Sequence, residues 1–293
     1  MGNQLKRKQH VLPESYLRRW IDPATLSKKP SAWIVSKDGR NANPRSPANA
    51  HFWREYFYDL ISVSGERNQV LEDTLGKIEG WTSTVTVEKL DRKLALDRSE
   101  AEALDLFVGC MRARTERFKL GVQSCAEALA RNEREHAVAN GLPLASEDVS
   151  VLNAHAFSIV TTLEVVPKEI STWTHALFTA PLGNHFVTSD NPCVWEALMG
   201  PPGLRNRFLE ISLPLSPRHL LFISREPRPS VYLEIPDDLV DYLNWRTIRH
   251  CGEYFVSNEE MVKPIWFESE MYWLKETLKQ LGAPVSDRAR SEV

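Results

Sequence analysis

The 293-residue sequence lacks most of what would place it quickly. It has four cysteines, Cys110, Cys125, Cys193 and Cys251, with no CxxC pair and no Cys/His ligand spacing. That excludes a disulfide scaffold and gives no support to a zinc site or a redox dithiol, so four free thiols are expected. No apolar run approaches the ~18 residues of a membrane helix, which argues against a membrane partner. The basic opening MGNQLKRKQH leads into no apolar signal core, so the expectation is a cytoplasmic protein. Charge of one sign is also missing. Lys+Arg number 36 and Asp+Glu 39, a net charge of -3, so no general nucleic-acid or membrane binder is indicated, although a local basic groove is compatible with it. There is no internal repeat and no low-complexity tract. Nor is there a GxGxxG, GxxxxGK[ST], HExxH, GxSxG or EF-hand signature.

What is present is an ordinary globular composition, 42% hydrophobic and 26% charged, in a chain long enough to bury a large core. The first 66 residues are irregular and aromatic. Ala32 to Val35 before Lys37-Asp38-Gly39 reads as a strand and turn, with a partner strand near Tyr56-Phe57-Tyr58. Residues 41–49, holding Pro44 and Pro47, read as loop. From Gln69 the spacing becomes helical, because Leu71, Leu75, Ile78, Thr82 and Val85 share one face. Ser99 with Glu102 forms a capping-box pattern that opens a long helix over about 99–135. Ser146-Glu147-Asp148 starts another, to about Ile159. The second half turns to strands. His175 to Thr179 and His185 to Thr188 read as a hairpin, with Phe208 to Leu213 and His219 to Ser224 as two further strands. Asp237 to Cys251 reads as a helix, Tyr254 to Ser257 as a strand and Glu268 to Leu281 as a last helix. Helices flanked by runs of strands predict α+β: a β-rich N-terminal entry, long helices in the middle, and a C-terminal mixed sheet with helices. One compact domain over 1–282 with a polar tail over 283–293 is expected.

Four groups of residues are candidates for chemistry. His10 follows Lys6-Arg7-Lys8, and nearby cations favour a neutral imidazole suited to a base or ligand, unless it only caps a backbone carbonyl. Asp190, in Ser189-Asp190-Asn191-Pro192 at a strand end, is placed either for catalysis or for turn chemistry. Glu72 and Glu79 lie two turns apart at the edge of an apolar helix stripe, where a solvated rim competes with a cleft. Arg112, Arg114 and Arg117 crowd one helix. Arg114 and Arg117 face together and could hold phosphate or carboxylate in bidentate fashion, the alternative being an ion pair to Glu72 or Glu79.

The segments HVLPESYLRRW, REYFYDL, VLEDTLGKIEG, FVGCMRARTERF, FVTSDNPCVW, LPLSPRHLLF and DYLNWRTIRHCGEYFVS, in this order, resemble the bacterial family known as domain of unknown function number 4238. Trp20 stands where that family usually has Phe. The resemblance covers about residues 8 to 260 and implies no activity. It implies that His10, Pro13, Tyr16, Glu79, Arg112 or Arg114, Asp190, Asn191, Pro192, Pro214, Ser216 and Asn244 occupy motif positions. The polar members of that set become site candidates.

Two functions follow as expectations. The first is a phosphodiester-directed hydrolase or nuclease-like enzyme of a bacterial defence or toxin system. In it His10, Glu79, Asp190 and Arg114 are catalytic, Glu79 and Asp190 hold a divalent metal such as Mg, and Arg112, Arg117, Asn191 and Asn244 bind substrate. Its partner would be nucleic acid or a phosphorylated small molecule. The second is a non-enzymatic regulatory or binding module in which the same residues form a structural polar network. Convergence of His10, Glu79, Arg114 and Asp190 in one cleft is what the first expects.

Overall fold

The computed structural model describes residues 6–142, 149–197, 199–227, 231–270 and 272–273. In chain order its elements are β1 (Lys8–His10), α1 (Glu14–Leu17), β2 (Ala32–Ser36), β3 (Ala42–Arg45), β4 (Trp53–Glu55), β5 (Leu60–Ile61) and β6 (Arg67–Asn68). The helical middle follows: α2 (Val70–Glu88), α3 (Arg98–Ala113), α4 (Glu116–Ala139) and α5 (Val149–Ile170). The chain then forms β7 (Thr174–Thr179), β8 (Thr188–Ser189), β9 (Val194–Ala197), β10 (Leu209–Pro214), β11 (His219–Ser224), β12 (Tyr232–Glu234), α6 (Asp237–His250) and β13 (Tyr254–Ser257). The fold is α+β, in the expected order.

A five-stranded sheet runs β12-β7-β11-β10-β9, antiparallel except for the β12–β7 pair. A four-stranded antiparallel sheet runs β3-β2-β13-β8. One cluster of buried side chains takes Leu12 and Leu17 from the N-terminal segment, Leu75 from α2, Phe107 and Met111 from α3, Ile159 from α5, Ile211 and Leu221 from the large sheet, and Val256 from β13. Distant segments are thereby fixed against the helices. The α2 stripe is as the spacing predicts, with Leu71, Leu75, Ile78, Thr82 and Val85 all buried. Helices α3 and α5 approach closely at Gly109, where an added Cβ would lie 3.4 Å from the Thr162 carbonyl. Among the described residues no helix is long and apolar enough to cross a membrane. All four cysteines are free, and only Cys125 is exposed.

Several local expectations need correction. The long helix over 99–135 is two helices. Thr115 leaves helical geometry (φ -86°, ψ 153°) and its hydroxyl accepts from Phe118 N, so it caps α4 and turns the chain at Arg114–Thr115. The capping box sits two residues earlier than expected: Asp97 accepts from Glu100 N, and the Glu100 side chain returns to Asp97 N. Helix α5 runs on to Ile170, with Pro167 in its last turn, and its expected Ser146-Glu147-Asp148 start lies outside the described residues. The expected 41–49 loop contains β3. Its Pro44 is tolerated because β3 is the sheet edge. The partner expected for β2 near Tyr56 does not form, since Tyr56 adopts a left-handed φ of 51° that ends the extended run after β4. The expected hairpin of 175–179 with 185–188 does not form either. Strands β7 and β8 lie in different sheets, and the Asn244 amide instead accepts from Val187 N and donates to His185 O, as a neighbouring strand would. The helix expected over 268–281 lies mostly outside the described residues, and the tail wholly so.

Candidate functional site

The expected constellation splits into three places. The first joins His10, Glu79 and Arg114. Arg114 ends α3 with its side chain only 1% exposed, in an ion pair with the Glu79 carboxylate of α2. Its other terminal nitrogen donates to the His10 carbonyl, which also accepts from Tyr58 Oη at 2.6 Å. The Tyr58 ring lies 5.8 Å from the guanidinium, and burial raises the phenol pKa. Burial disfavours the charged form of Arg114, but the charge and hydrogen bond of Glu79 together with the Tyr58 and Cys110 side chains more than offset it, so the guanidinium stays charged. Burial, and then the Arg114 charge, lower the His10 imidazole pKa. The Glu72 carboxyl is raised by burial, partly opposed by Arg114. This arrangement locks β1 to α2 and α3. The His10 backbone carries the contact, and its ring makes no hydrogen bond among the described residues.

The second place holds Asp190, which is not joined to that trio by any hydrogen bond or ion pair. Its Oδ1 accepts from Gly252 N at 2.7 Å, and its Oδ2 from Glu253 N at 2.6 Å and more weakly from Tyr254 N at 3.4 Å. The carboxylate thus clamps the turn from α6 into β13. Burial raises its pKa against the pull of those N–H groups. Gly252 is required here by close approach, because a Cβ would sit 2.9 Å from Asp190 Oδ2. The carboxylates expected to hold a metal are therefore engaged separately, Glu79 by a guanidinium and Asp190 by backbone. No group of three or more His, Cys, Asp or Glu side chains among the described residues could hold a metal ion. The residues do not fit a Glu79–Asp190 metal centre.

The third place is a cleft of about 650 Å3 where α3, α4 and α5 meet the Asn191 turn. Its walls are apolar, with Phe118, Leu129 and Phe157 among them, and Arg112 and Arg117 stand at one end. Arg112 stacks over the Trp195 ring at 5.1 Å and makes no hydrogen bond or ion pair among the described residues. Burial lowers its pKa, Cys193 opposes that in part, and the charge of Arg117 lowers it further. Arg117 donates to the His250 carbonyl at 2.8 Å, as does Asn191 Nδ2 at 2.9 Å. The His250 imidazole is pushed down to about 4 by burial and by Arg117, Arg246, Arg249 and Arg112. Arg246 is neutralised by Glu196 and Glu210, which oppose each other directly across β9 and β10, and Arg249 by Glu270. Among the described residues Arg112 and Arg117 have no such carboxylate.

Asn244, expected in binding, clamps the 185–187 backbone instead of lining this cleft. His250 and Trp195 were not singled out from sequence. The cluster of arginines around position 250 in WRTIRHC was the available signal for His250, and Trp195 had none. Other segments that carry the family resemblance are knitted together by buried bonds of the same kind. Tyr16 Oη donates to Pro214 O and pairs with Thr188 Oγ1, both at 2.6 Å.

The family described as Protein of unknown function (DUF4238) matches residues 8–261. No curated protein matches the chain, and no solved structure does.

Proposed function

We propose that this chain, which belongs to the DUF4238 family of proteins of unknown function, binds a phosphorylated ligand of nucleotide type in the cleft between α4 and α5. The observation that carries this reading is Arg112: a half-buried guanidinium, beside a second arginine, with no carboxylate partner among the described residues. A desolvated cation without a counter-ion is costly, and a phosphate dianion would satisfy both arginines at once. The Phe118 and Phe157 walls suit the flat body of a nucleobase, whether of a free nucleotide or of a nucleic-acid strand end. In this reading Glu79, Arg114, Asp190 and Asn244 form the structural network of a binding module. A cytoplasmic location belongs to the same proposal, supported by the free cysteines.

The test is calorimetric titration of the chain with adenosine 5′-monophosphate and with adenosine. The nucleotide should bind and adenosine should bind much more weakly. Arg112→Gln should weaken the nucleotide by about 10- to 100-fold, as loss of a charge-assisted bond of about 1.5–3 kcal/mol requires. Equal binding of both probes, or no effect of Arg112→Gln, contradicts the proposal.

A hydrolytic reading is favoured by one observation, the His250 imidazole held neutral by burial and by the charges of nearby arginines, Arg117 and Arg112 among them. A neutral base beside bound phosphate can take a proton from an attacking water. It requires turnover of bis(p-nitrophenyl) phosphate that falls by at least about 100-fold in His250→Ala, within the range such groups contribute.

A further inference from the structure

A second cleft, of about 610 Å3 and with a more charged lining, lies on the side of the molecule where the β10–β11 turn meets the turn that follows α2. Its cations are Arg19, Lys93 and Arg218, and the carboxylate among its lining residues is Asp91. Asp91 is already committed to Arg19 Nη2 at 2.7 Å. Arg19 Nε is buried and has no hydrogen-bond partner among the described residues, and the same is true of the Asn258 amide oxygen. Both residues line this cleft. Lys93 holds a left-handed conformation, φ 55°, that a glycine would adopt without strain, and so presents a charged side chain from a position that ordinarily favours none. The His219 ring completes the wall. Its Nδ1 lies 3.4 Å from Thr179 Oγ1 and its Nε2 3.8 Å from Asp91.

We infer that this cleft binds a small phosphomonoester that also carries a hydroxyl group. Excess positive charge over the one carboxylate matches a phosphate dianion better than a single carboxylate ligand. The orphaned Arg19 Nε supplies a buried donor for one of its oxygens. The Asn258 amide needs a partner of its own, and a hydroxyl, which both donates and accepts, provides one. His219 is held neutral, with its pKa at about 4 through burial and the three cations, so it adds no further charge and can serve as a hydrogen-bonding group. The inference is independent of the Arg112 cleft, with which this site shares no lining residue.

The experiment is calorimetric titration with glycerol 3-phosphate, inorganic phosphate and glycerol, using the full chain carrying Arg112→Gln so that the first cleft is silent. Glycerol 3-phosphate should bind at one site and more tightly than inorganic phosphate, and glycerol should give no heat. Adding Lys93→Gly and Arg218→Gln should weaken the phosphomonoester at least 10-fold, and Lys93→Gly alone should leave a melting temperature no lower than that of the parent, since glycine relieves the strained φ. Asn258→Ala should abolish the preference for glycerol 3-phosphate over phosphate while leaving phosphate binding in place. Absence of single-site binding, or binding undiminished by the Lys93 and Arg218 changes, overturns the inference.

Discussion

Replacing Asp190 by Asn distinguishes a structural carboxylate from a catalytic one. In the folded chain Oδ1 accepts from Gly252 N and Oδ2 from Glu253 N, both strongly, with Tyr254 N a weaker third donor. Asparagine keeps one oxygen and puts an NH2 group where the other was. One charge-assisted bond, worth about 1.5–3 kcal/mol, becomes a donor facing a donor. The surviving oxygen is neutral, and its bonds weaken. Against this, neutralising the group removes the burial cost that now pushes the Asp190 carboxyl pKa up. The net loss should therefore fall near the low end, at about 2 kcal/mol. At about 2.1 cal/mol/K of unfolding entropy per residue, a chain of this size loses roughly 3 °C of melting temperature for that change. Urea denaturation followed by tryptophan fluorescence gives the free energy directly. Hydrogen exchange should show local opening at the Gly252 and Glu253 amides. A change below about 0.5 kcal/mol, together with loss of ligand binding or turnover, would show that the carboxylate acts on a ligand and would refute the clamp.

Gly252→Ala should destabilise by about 1–3 kcal/mol, because its Cβ would press on the same carboxylate, which is fixed by backbone bonds and cannot swing away; a neutral result in urea denaturation would contradict that contact. Glu79→Ala should cost about 3–5 kcal/mol by leaving the buried Arg114 uncompensated, and adding Arg114→Met should recover part of the loss, so a double-mutant cycle with no coupling would argue against the pair. Acid should destabilise the fold between about pH 6.5 and 4. His155, His219 and His250 have folded pKa values of about 4, so the unfolded chain binds more protons in that window, and each ring removes up to about 1.4 kcal/mol per pH unit as pH falls. The raised carboxyls of Glu72 and Asp190 act with the opposite sign, from their raised values down to the ordinary carboxylate range, and so offset part of the loss at the acid end of this window. A flat urea midpoint from pH 7 to 5 would contradict the neutral buried rings.

Periodicity revealed the elements whose hydrogen bonds are local or whose stripe is long. Helix α2 faces the core as its spacing requires, and β10, β11, α6 and β13 lie where β-rich and amphipathic runs place them. What periodicity could not reveal was the work of single side chains on distant backbone. Thr115 breaks a stripe that otherwise runs through Met111 and Phe118, because one hydroxyl satisfies Phe118 N and the α3 end is closed elsewhere, by His155 Nε2 at 3.0 Å from the Ala113 carbonyl. Asn244 imitates a strand edge for residues 185–187 and so separates β8 from the hairpin that propensity alone would form. The site was legible to a similar degree and for the same reason. Residue type offered an ion pair to Glu72 or Glu79 as the alternative to phosphate binding by Arg114 and Arg117, and the fold selects Glu79 for Arg114, since a buried guanidinium needs a carboxylate within reach. It could not separate Arg114, which has one, from Arg112 two residues earlier, which has none among the described residues. That difference is set by which way α3 turns each side chain, one toward α2 and the other toward Trp195 and an open cleft. Binding chemistry is therefore argued from the arginine the fold leaves unneutralised, and structure from the one it neutralises.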